Sequence, residues 1–420
     1  MERTNRDTDI VVYGATGFVG VLVAGYLAEA APAGTRIALA GRSRQKLEAT
    51  RSRLGERAAG WPLLVAEADD GAALRALAEA ARVVITTVGP YAKYGRALAH
   101  ACAAAGTDYV DLTGEVLFVR QSIEENHELA RSTGARLVHS CGFDSIPSDI
   151  GVHVLHQRVR ADDAGELTDT TTVLTAMRGG ASGGTIDSLR HQIDTIRKDR
   201  ALRKRVLDPY VLSPDRAAEP DLGRQPDLVL ARGAAISPTL RGTLAPFVMA
   251  PYNTRVVRRS NALRGHAYGP LFRYREFMSV GPSVLSPVFA AGVAAGLGTL
   301  VAGLAVGPTR YVLDRLLPKP GQGPSQKARE RGHFTIDVFA STTSGARYTA
   351  RFTAQGDPGY QATALMLGES ALALVLDRDA LPPSDGGVLT PATALGDALV
   401  TRLRKAGVGI SDRVLSPAIT

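Results

Sequence analysis

Asp9-Ile-Val-Val-Tyr-Gly14-Ala-Thr-Gly17-Phe-Val-Gly20 is the stretch whose reading decides the fold. Ile10 to Tyr13 form an apolar run of the length of a short buried strand. The run breaks at a glycine turn, after which Val19, Val23, Tyr26 and Leu27 recur at helical spacing. Strand, tight turn and helix in this order aim the helix start, with its free N–H groups and dipole, at whatever sits on the turn. Gly14 lets the chain turn, Gly17 lets the backbone come close to a ligand, and Gly20 lets the helix pack on the strand. Ala15, Thr16, Phe18 and Val19 fill the positions between them. A glycine-rich turn without a ligand is the plainer reading; the strand–turn–helix context favours a dinucleotide diphosphate.

The alternation continues from there. Ile10–Tyr13, Arg36–Ala40, Pro62–Val65, Val83–Val88, Tyr109–Asp111 and Arg136–His139 read as strands, with helices over 18–30, 43–54, 71–80, 94–105 and 115–133. This predicts an α/β protein whose N-terminal Rossmann dinucleotide-binding domain, residues 1–150, is a parallel sheet with helices on both faces. After Gly151 the pattern changes. Thr170–Met177, Phe272–Met278, Phe334–Ala340 and Arg347–Ala354 are β-branched or period-two runs at long intervals. They predict a mostly antiparallel sheet in a second, α+β domain over 151–380. Gly179–Gly184 reads as a loop before a helix at 185–199, and 208–240 and 317–325 read as surface loops. Residues 381–420 hold a helix started by Thr390-Pro391, expected to return and pack on the first domain.

Composition narrows the class. A net charge of +8 comes more from Arg than from Lys, with concentrations at Arg42–Arg53, Arg197–Arg205 and Arg255–Arg264. These are solvated helix faces, or a basic surface for an acidic partner such as a phosphopantetheine carrier or an anionic membrane. No basic, aromatic-interleaved recognition motif points to nucleic acid. Cys102 and Cys141 build no disulfide framework, and no Cys or His spacing suggests a metal. Both observations suit a reducing cytoplasm, and a first strand near residue 9 leaves no room for a secretory signal.

The second strand ends Ala38-Leu-Ala-Gly-Arg-Ser43, without the carboxylate that takes the ribose hydroxyls of NAD. Arg42, with Ser43 beside it, can bind a 2′-phosphate instead, so NADP(H) is expected. Asp69 follows the third strand, where it meets the adenine edge or, like Asp70, caps the next helix. Val88, Gly89 and Pro90 end the fourth strand and should lie along the cofactor, with Tyr91 and Tyr94 near the nicotinamide. Asp144 and Ser145 end the sixth strand and face the same crevice; packing for the tyrosines and helix capping for Ser145 or Ser148 are the competing roles. Cys141 lacks a histidine at motif spacing and reads as a small core residue rather than a nucleophile.

Val284 to Val306 runs for 23 residues without a charge, long enough for a membrane span. Gly292, Gly296, Gly298, Gly303 and Pro287 make insertion marginal. A buried helix, a lipid-facing element and a span are the three readings, and the flanking Arg310, Arg315 and Lys319 fit the second.

Taken together, Gly14–Gly20, Ala40-Gly-Arg42, Thr87-Val-Gly-Pro-Tyr91, Tyr109-Val-Asp-Leu-Thr-Gly-Glu115 and Cys141-Gly-Phe-Asp-Ser-Ile-Pro-Ser-Asp149 resemble the saccharopine dehydrogenase-like oxidoreductases. Within that superfamily the chain is similar to the trans-acting enoyl reductases of actinobacterial lipid and polyketide synthesis. Pro251-Tyr-Asn-Thr-Arg-Val-Val-Arg-Arg-Ser-Asn261, Phe272-Arg-Tyr-Arg-Glu276 and Gly387-Val-Leu-Thr-Pro-Ala392 extend the resemblance over nearly the whole chain. It implies a nicotinamide domain joined to an α+β domain that dimerises, so a homodimer, and a link to lipid surfaces.

Three functions follow as expectations. In the first, NADPH reduces the C=C of an α,β-unsaturated acyl thioester, carried by the acyl carrier protein of a polyketide synthase. Tyr91, Tyr94, Asp144 and Ser145 are then the candidates for the thioester-oxygen donor and the acid at Cα. In the second, the chain performs saccharopine-type chemistry at a C–N bond, with Arg178, Arg255, Arg258 and Arg275 clamping carboxylates. In the third, it binds NADP without catalysis and uses 284–306 as a lipid-surface anchor.

Overall fold

A computed structural model describes residues 6–418, apart from 181–182, 306 and 317–322. Most of the loop expected at 317–325, and part of Gly179–Gly184, lie outside the described residues. The first sheet is built from β1 (Thr8–Tyr13), β2 (Ile37–Gly41), β3 (Leu63–Val65), β4 (Ala81–Thr86), β5 (Asp108–Val110) and β6 (Arg136–Val138). They run parallel in the order β3-β2-β1-β4-β5-β6, so the order reverses between β1 and β4. That reversal opens a crevice at the carboxyl ends of the strands. Every residue of β1 and β2 is buried, as unbroken β-branched and alanine runs between two helical layers require. The helices are α1 (Phe18–Ala30), α2 (Arg44–Arg53), α3 (Gly71–Ala80), α4 (Tyr91–Tyr94), α5 (Arg96–Ala105) and α6 (Val116–Thr133).

The chain leaves this sheet through α7 (Ile146–Ala161), which has Pro147 in its first turn and is buried along most of its length. Next come β7 (Leu167–Arg178), α8 (Gly183–Lys198), α9 (Arg200–Leu207) and an irregular stretch. β8 (Ala231–Arg232), α10 (Gly233–Ile236), β9 (Thr243–Pro246), α11 (Ala250–Leu263) and β10 (Arg273–Ser279) follow. The helices α12 (Ser286–Ala305), α13 (Gly307–Leu316) and α14 (Gln326–Glu330) then precede β11 (His333–Thr342), β12 (Arg347–Gln355) and α15 (Thr363–Leu376).

The last segment corrects the expectation of a helix alone. β13 (Gly387–Leu389) first adds a strand to the first sheet, parallel to β6. Thr390 then caps α16 (Pro391–Ala394), α17 (Gly396–Lys405) follows, and β14 (Gly409–Ser416) joins the second sheet. The second sheet runs β14-β12-β11-β7-β10-β9-β8. Its pairs are antiparallel except β7 with β10, so the expected mostly antiparallel sheet carries one parallel pair.

One apolar core joins the two sheets. Ile10, Val12 and Leu27 belong to the same cluster as Ile336, Val338 and Phe352, with α7 and α15 between. Both α15, with the turn before it, and α12 are long and apolar enough to cross a membrane. The first is 78% buried and is a core helix. The second is only 11% buried, which overturns the reading of 284–306 as a buried helix. Val284, Val288 and Phe289 are 93%, 67% and 53% exposed. The third arginine concentration is corrected in the other sense: Arg255, Arg258 and Arg259 lie inside α11's packing, not on a solvated face.

His156 on α7 gives this core a pH dependence. Its Nε2 bonds the Ala267 carbonyl at 3.0 Å, its ring packs on Tyr268, and Nδ1 is buried without a partner. Burial, then the charge of Arg264, pushes the imidazole down to about 4. Between pH 6.5 and 4 the unfolded chain binds the proton and the folded one does not, so stability falls as pH falls through that window. The full effect is about 3 kcal/mol. Urea melts at pH 7 and pH 4.5 should show that loss, and His156→Gln should reduce it; equal pH dependence in both proteins would refute the assignment.

Candidate dinucleotide crevice and reaction site

The glycine turn meets demanding geometry. Gly14 sits at φ +85°, and a Cβ there would lie 2.7 Å from Val88 Cγ2 and 2.8 Å from Thr87 Oγ1. At Gly20 a Cβ would lie 2.1 Å from the Gly14 carbonyl oxygen, so only hydrogen lets α1 approach β1. Gly17 differs: a Cβ would meet only that same oxygen, at 3.3 Å, and the residue faces open space. No side chain caps α1, which leaves its opening turn without the usual side-chain acceptor. Ala15 fastens the turn to β2 through its N–H to the Ala40 carbonyl at 3.1 Å. The Thr16 hydroxyl lies beside Gly41 at the end of β2. The Phe18 ring packs edge-on against Tyr360 at 4.9 Å and Val19 packs on the core, so both can offer a ligand only backbone.

The end of β2 carries Arg42, exposed and without a carboxylate partner among the described residues. Ser43 is the N-cap of α2, its oxygen 3.4 Å from the Lys46 nitrogen. Asp70, not Asp69, caps α3, accepting from Ala72 and Ala73 at 3.0 Å each. Asp69 stays exposed near Tyr13, whose hydroxyl is pushed up to about 12 by burial and then by the charges of Asp69 and Glu67, with Arg42 opposing. These four side chains therefore gather at the end of β1. A cradle open at Gly17, with a free guanidinium at the end of β2, fits a dinucleotide bearing a 2′-phosphate.

Val88, Gly89 and Pro90 continue β4 beside Gly14, while the Thr87 hydroxyl bonds the Gly14 carbonyl at 3.3 Å. Tyr91 turns inward. Its hydroxyl donates to the Thr86 carbonyl and accepts from the Leu112 N–H, both at 3.2 Å, and burial raises its ionisation well above the usual value. Both carboxylate oxygens of buried Glu115 accept from the N–H groups of Tyr91 and Ala92, at 2.8 and 2.9 Å. Tyr91 thus locks the loop after β4 to the loop after β5. Tyr94 is half-buried, with the Lys93 ammonium 4.8 Å from its ring centre. Asp111 is saturated, taking the N–H groups of Thr113 and Ser140, the Tyr109 hydroxyl and His139 Nδ1.

Asp144 stands apart from its neighbours. It follows β6 just before α7, and no hydrogen bond or ion pair engages its carboxyl among the described residues. Surrounding protein alone raises it to about 6. Its charge is felt at the hydroxyls of Tyr91 and Tyr252, which places all three in one neighbourhood. Ser145, by contrast, donates to Asn253 Oδ1 at 2.9 Å and is buried. Asn253 in turn donates to Glu276 Oε2 at 3.0 Å and to Ser148 at 3.3 Å, and Tyr274 donates to Glu276 Oε1 at 2.7 Å. Burial holds Glu276 at about 7. Cys141 is buried, and its thiol is pushed well above its usual value.

Sequence reasoning left out the roof of the crevice. Tyr252 bonds Ser140 through its hydroxyl, Ser188 of α8 donates to Glu115 at 2.7 Å, and Gln192 reaches the Gly114 carbonyl. Tyr252 and Asn253 stand in the Pro251–Asn261 motif, but nothing in a linear motif says that α11 closes over α7. The four arginines proposed as clamps do not converge. Arg255 pairs with Asp227, Arg258 serves Gln225 and the carbonyls of Pro209 and Tyr274, Arg275 faces Asp169, and Arg178 is exposed.

A doubly wound parallel sheet with this glycine cradle defines a nicotinamide-dinucleotide oxidoreductase. Residues 10–138 match the family described as the saccharopine dehydrogenase NADP binding domain. Over 98% of both chains, the sequence is 54% identical to a Mycobacterium tuberculosis protein provisionally named a trans-acting enoyl reductase. It is 50% identical to the trans-acting enoyl reductase of Mycobacterium ulcerans, over 98% of this chain and 99% of that one. Saccharopine dehydrogenase (L-Glu forming) of Saccharomyces cerevisiae shares the fold at 11% identity, with a TM-score of 0.52, over 97% of this chain and 100% of that one. The chain belongs to the trans-acting enoyl reductase family, within the saccharopine dehydrogenase-like oxidoreductases.

Arg42→Ala should weaken NADPH by about tenfold or more, the scale of a lost charge-assisted contact, and leave NADH unchanged. Fluorescence titration with both nucleotides reads this directly; equal losses for both would show that Arg42 does not meet the 2′-phosphate.

Proposed function

We propose that this chain reduces the carbon–carbon double bond of an α,β-unsaturated acyl thioester, acting in trans on a substrate presented by the acyl carrier protein of a separate polyketide synthase. The names of its relatives support the reaction. The observation that carries the site is Asp144, a carboxyl without a partner, held near neutrality in the crevice. Gly14, Ala15, Thr16, Gly17, Phe18, Val19 and Gly20 would hold the diphosphate. Arg42 and Ser43 would take the 2′-phosphate, Asp69 the adenine side, and Val88, Gly89 and Pro90 the nicotinamide side. NADPH, when bound there, supplies the hydride that goes to Cβ.

The protein's own part is to place the second hydrogen. Asp144, with a pKa near working pH, can give a proton to Cα and regain one from water. Tyr94, with Lys93 beside it, would be the donor to the thioester oxygen, since Tyr91 and Ser145 spend their hydroxyls inside the protein. Ser145 instead anchors the start of α7 next to Asp144, and Tyr91 fastens the loops after β4 and β5. Saccharopine-type chemistry needs several cations on one small substrate, and of the arginines expected to supply them Arg255, Arg258 and Arg275 are engaged elsewhere.

As a general acid Asp144 must be protonated, so kcat/KM for enoyl thioester should fall as pH rises through about 6. Asp144→Asn should remove that limb and lower turnover about a hundredfold. NADPH consumption with an enoyl thioester reports both; an unchanged pH profile in the variant would dismiss Asp144, and no consumption with any carrier-bound or coenzyme A substrate would dismiss the reaction.

The lipid-facing reading belongs to the same proposal. α12 is docked along one side through buried Ala290 and Leu304, and α13 is tied to α8 by Arg310 and Asp194 at 2.6 Å. A helix that stays docked along this domain does not cross the bilayer at the same time, so α12 would lie in the membrane surface with Val284, Val288 and Phe289 outward. Each large apolar side chain left in water forgoes roughly 1.5–3 kcal/mol, a strong drive toward lipid. Arg200, Arg203, Lys204 and Arg205 of α9 are exposed and suit an acidic carrier. A homodimer is part of the reading, and sedimentation at about twice the 44.2 kDa chain mass checks it. Paired Val288→Asp and Phe289→Asp substitutions should release the protein from liposomes without lowering its thermal midpoint; co-sedimentation equal to the parent protein would remove α12 as the contact.

A further inference from the structure

The outer face of the second sheet, away from α7 and the crevice, holds a cavity of about 310 Å³. Three guanidinium groups line it, from Arg241, Arg351 and Arg413, against one carboxylate, Asp337. Asp337 is already committed. It takes Arg351 Nε at 2.6 Å and Nη2 at 3.0 Å, and accepts the Thr175 hydroxyl at 3.0 Å. That pair cancels, and Arg241 and Arg413 are left with no carboxylate partner among the described residues. The lining also includes Thr349, opposite Arg413 in the sheet, a residue only 5% exposed whose hydroxyl has no hydrogen-bond partner. Buried hydroxyls are normally paired. One that lines a hollow beside two uncompensated arginines is set to donate to an anion there. Leu240 and Phe339 give the same hollow an apolar wall.

We propose that this cavity binds a phosphate group carried on a small apolar body. A carboxylate offers one charge and two oxygens. A phosphate offers up to two charges and more acceptor oxygens, which matches two free guanidiniums and a hydroxyl. The volume exceeds what a phosphate alone needs and lies at the lower end of ligand pockets, leaving the wall of Leu240 and Phe339 for an organic group. The cavity also adjoins the root of α12. A Cβ on Gly242, next to Arg241, would meet Ser286 Oγ at 2.6 Å, and that oxygen accepts the Thr243 N–H at 2.9 Å. Exposed Val284 and Leu285 stand just before Ser286. The phosphate can therefore come from a lipid headgroup or from a soluble phosphate ester.

The test uses the full-length protein saturated with NADPH, so that phosphate does not report on the dinucleotide site. Inorganic phosphate is titrated at constant ionic strength and binding is read by calorimetry. Saturable binding is expected. Arg241→Ala with Arg413→Ala should weaken it about tenfold or more. Thr349→Val should weaken it severalfold while keeping the thermal midpoint in phosphate-free buffer at or above the parent value, because the hydroxyl it removes has no partner in the fold. NADPH oxidation should be unchanged in these variants. Absence of saturable binding, or binding that the double variant leaves intact, would overturn the proposal. Two further arms identify the source. Glycerol 3-phosphate binding more tightly than inorganic phosphate, with vesicle retention equal in parent and double variant, assigns a soluble ester. Phosphatidylglycerol vesicles that retain the parent and release the double variant assign a headgroup. If neither ligand distinguishes the two proteins, the cavity takes no phosphate on an apolar body and the proposal is overturned.

Discussion

The buried carboxylate of Asp149 ties this fold together. It stands in the first turn of α7, where the chain passes from one sheet to the other. It receives the Ser260 hydroxyl of α11 and, at 2.7 Å, the Ala392 N–H at the start of α16. Ser260 also meets Thr390, which caps that helix, at 2.6 Å. Burial raises the carboxyl, and these donors oppose the rise. Three segments distant in sequence thus share one acceptor, and each is placed only when the others are. A buried donor left without its acceptor costs about 1–3 kcal/mol, so loosening any one segment exposes the others to that cost. Buried Arg259 extends the same joint, donating to the carbonyls of Leu212 and Val388.

That joint explains how the crevice is shaped. α11 is held over α7, so Tyr252 and Asn253 come down onto Ser140 and Ser145. The loops after β4, β5 and β6 are fastened to each other through Glu115, Asp111 and the Tyr91 hydroxyl. Many polar groups of the loops after β4, β5 and β6 are therefore consumed in holding their neighbours. Among the described residues the carboxyl of Asp144 is left over, and under the proposed reaction it would be the proton donor held in that frame.

Much of this was legible in the residues. Apolar runs and glycine placement mark β1, α1 and the crevice because both are local properties. Arg42 was readable because its role depends on the strand end and not on a distant partner. The roles of Tyr91 and Ser145 were not, since the Leu112 N–H and Asn253 that occupy them come from other parts of the chain. The arginines of α11 look like a basic surface in sequence, yet they donate to main-chain carbonyls in the interior. α12 shows the reverse: its composition says core and its surroundings say surface. β13 escaped because three residues, Gly387 to Leu389, carry too little periodicity to announce a strand.

The lateness of β13 has a consequence for synthesis. The first sheet is assembled from residues 8–138, but the strand that covers β6 is delivered about 250 residues later. While the chain is still emerging from the ribosome, β6 presents an open edge, and open edges recruit other strands. Only three residues long, it offers a stray strand little to pair with. Brevity there acts as a temporary guard, and the edge of the first sheet stays unsealed until β13 has been made.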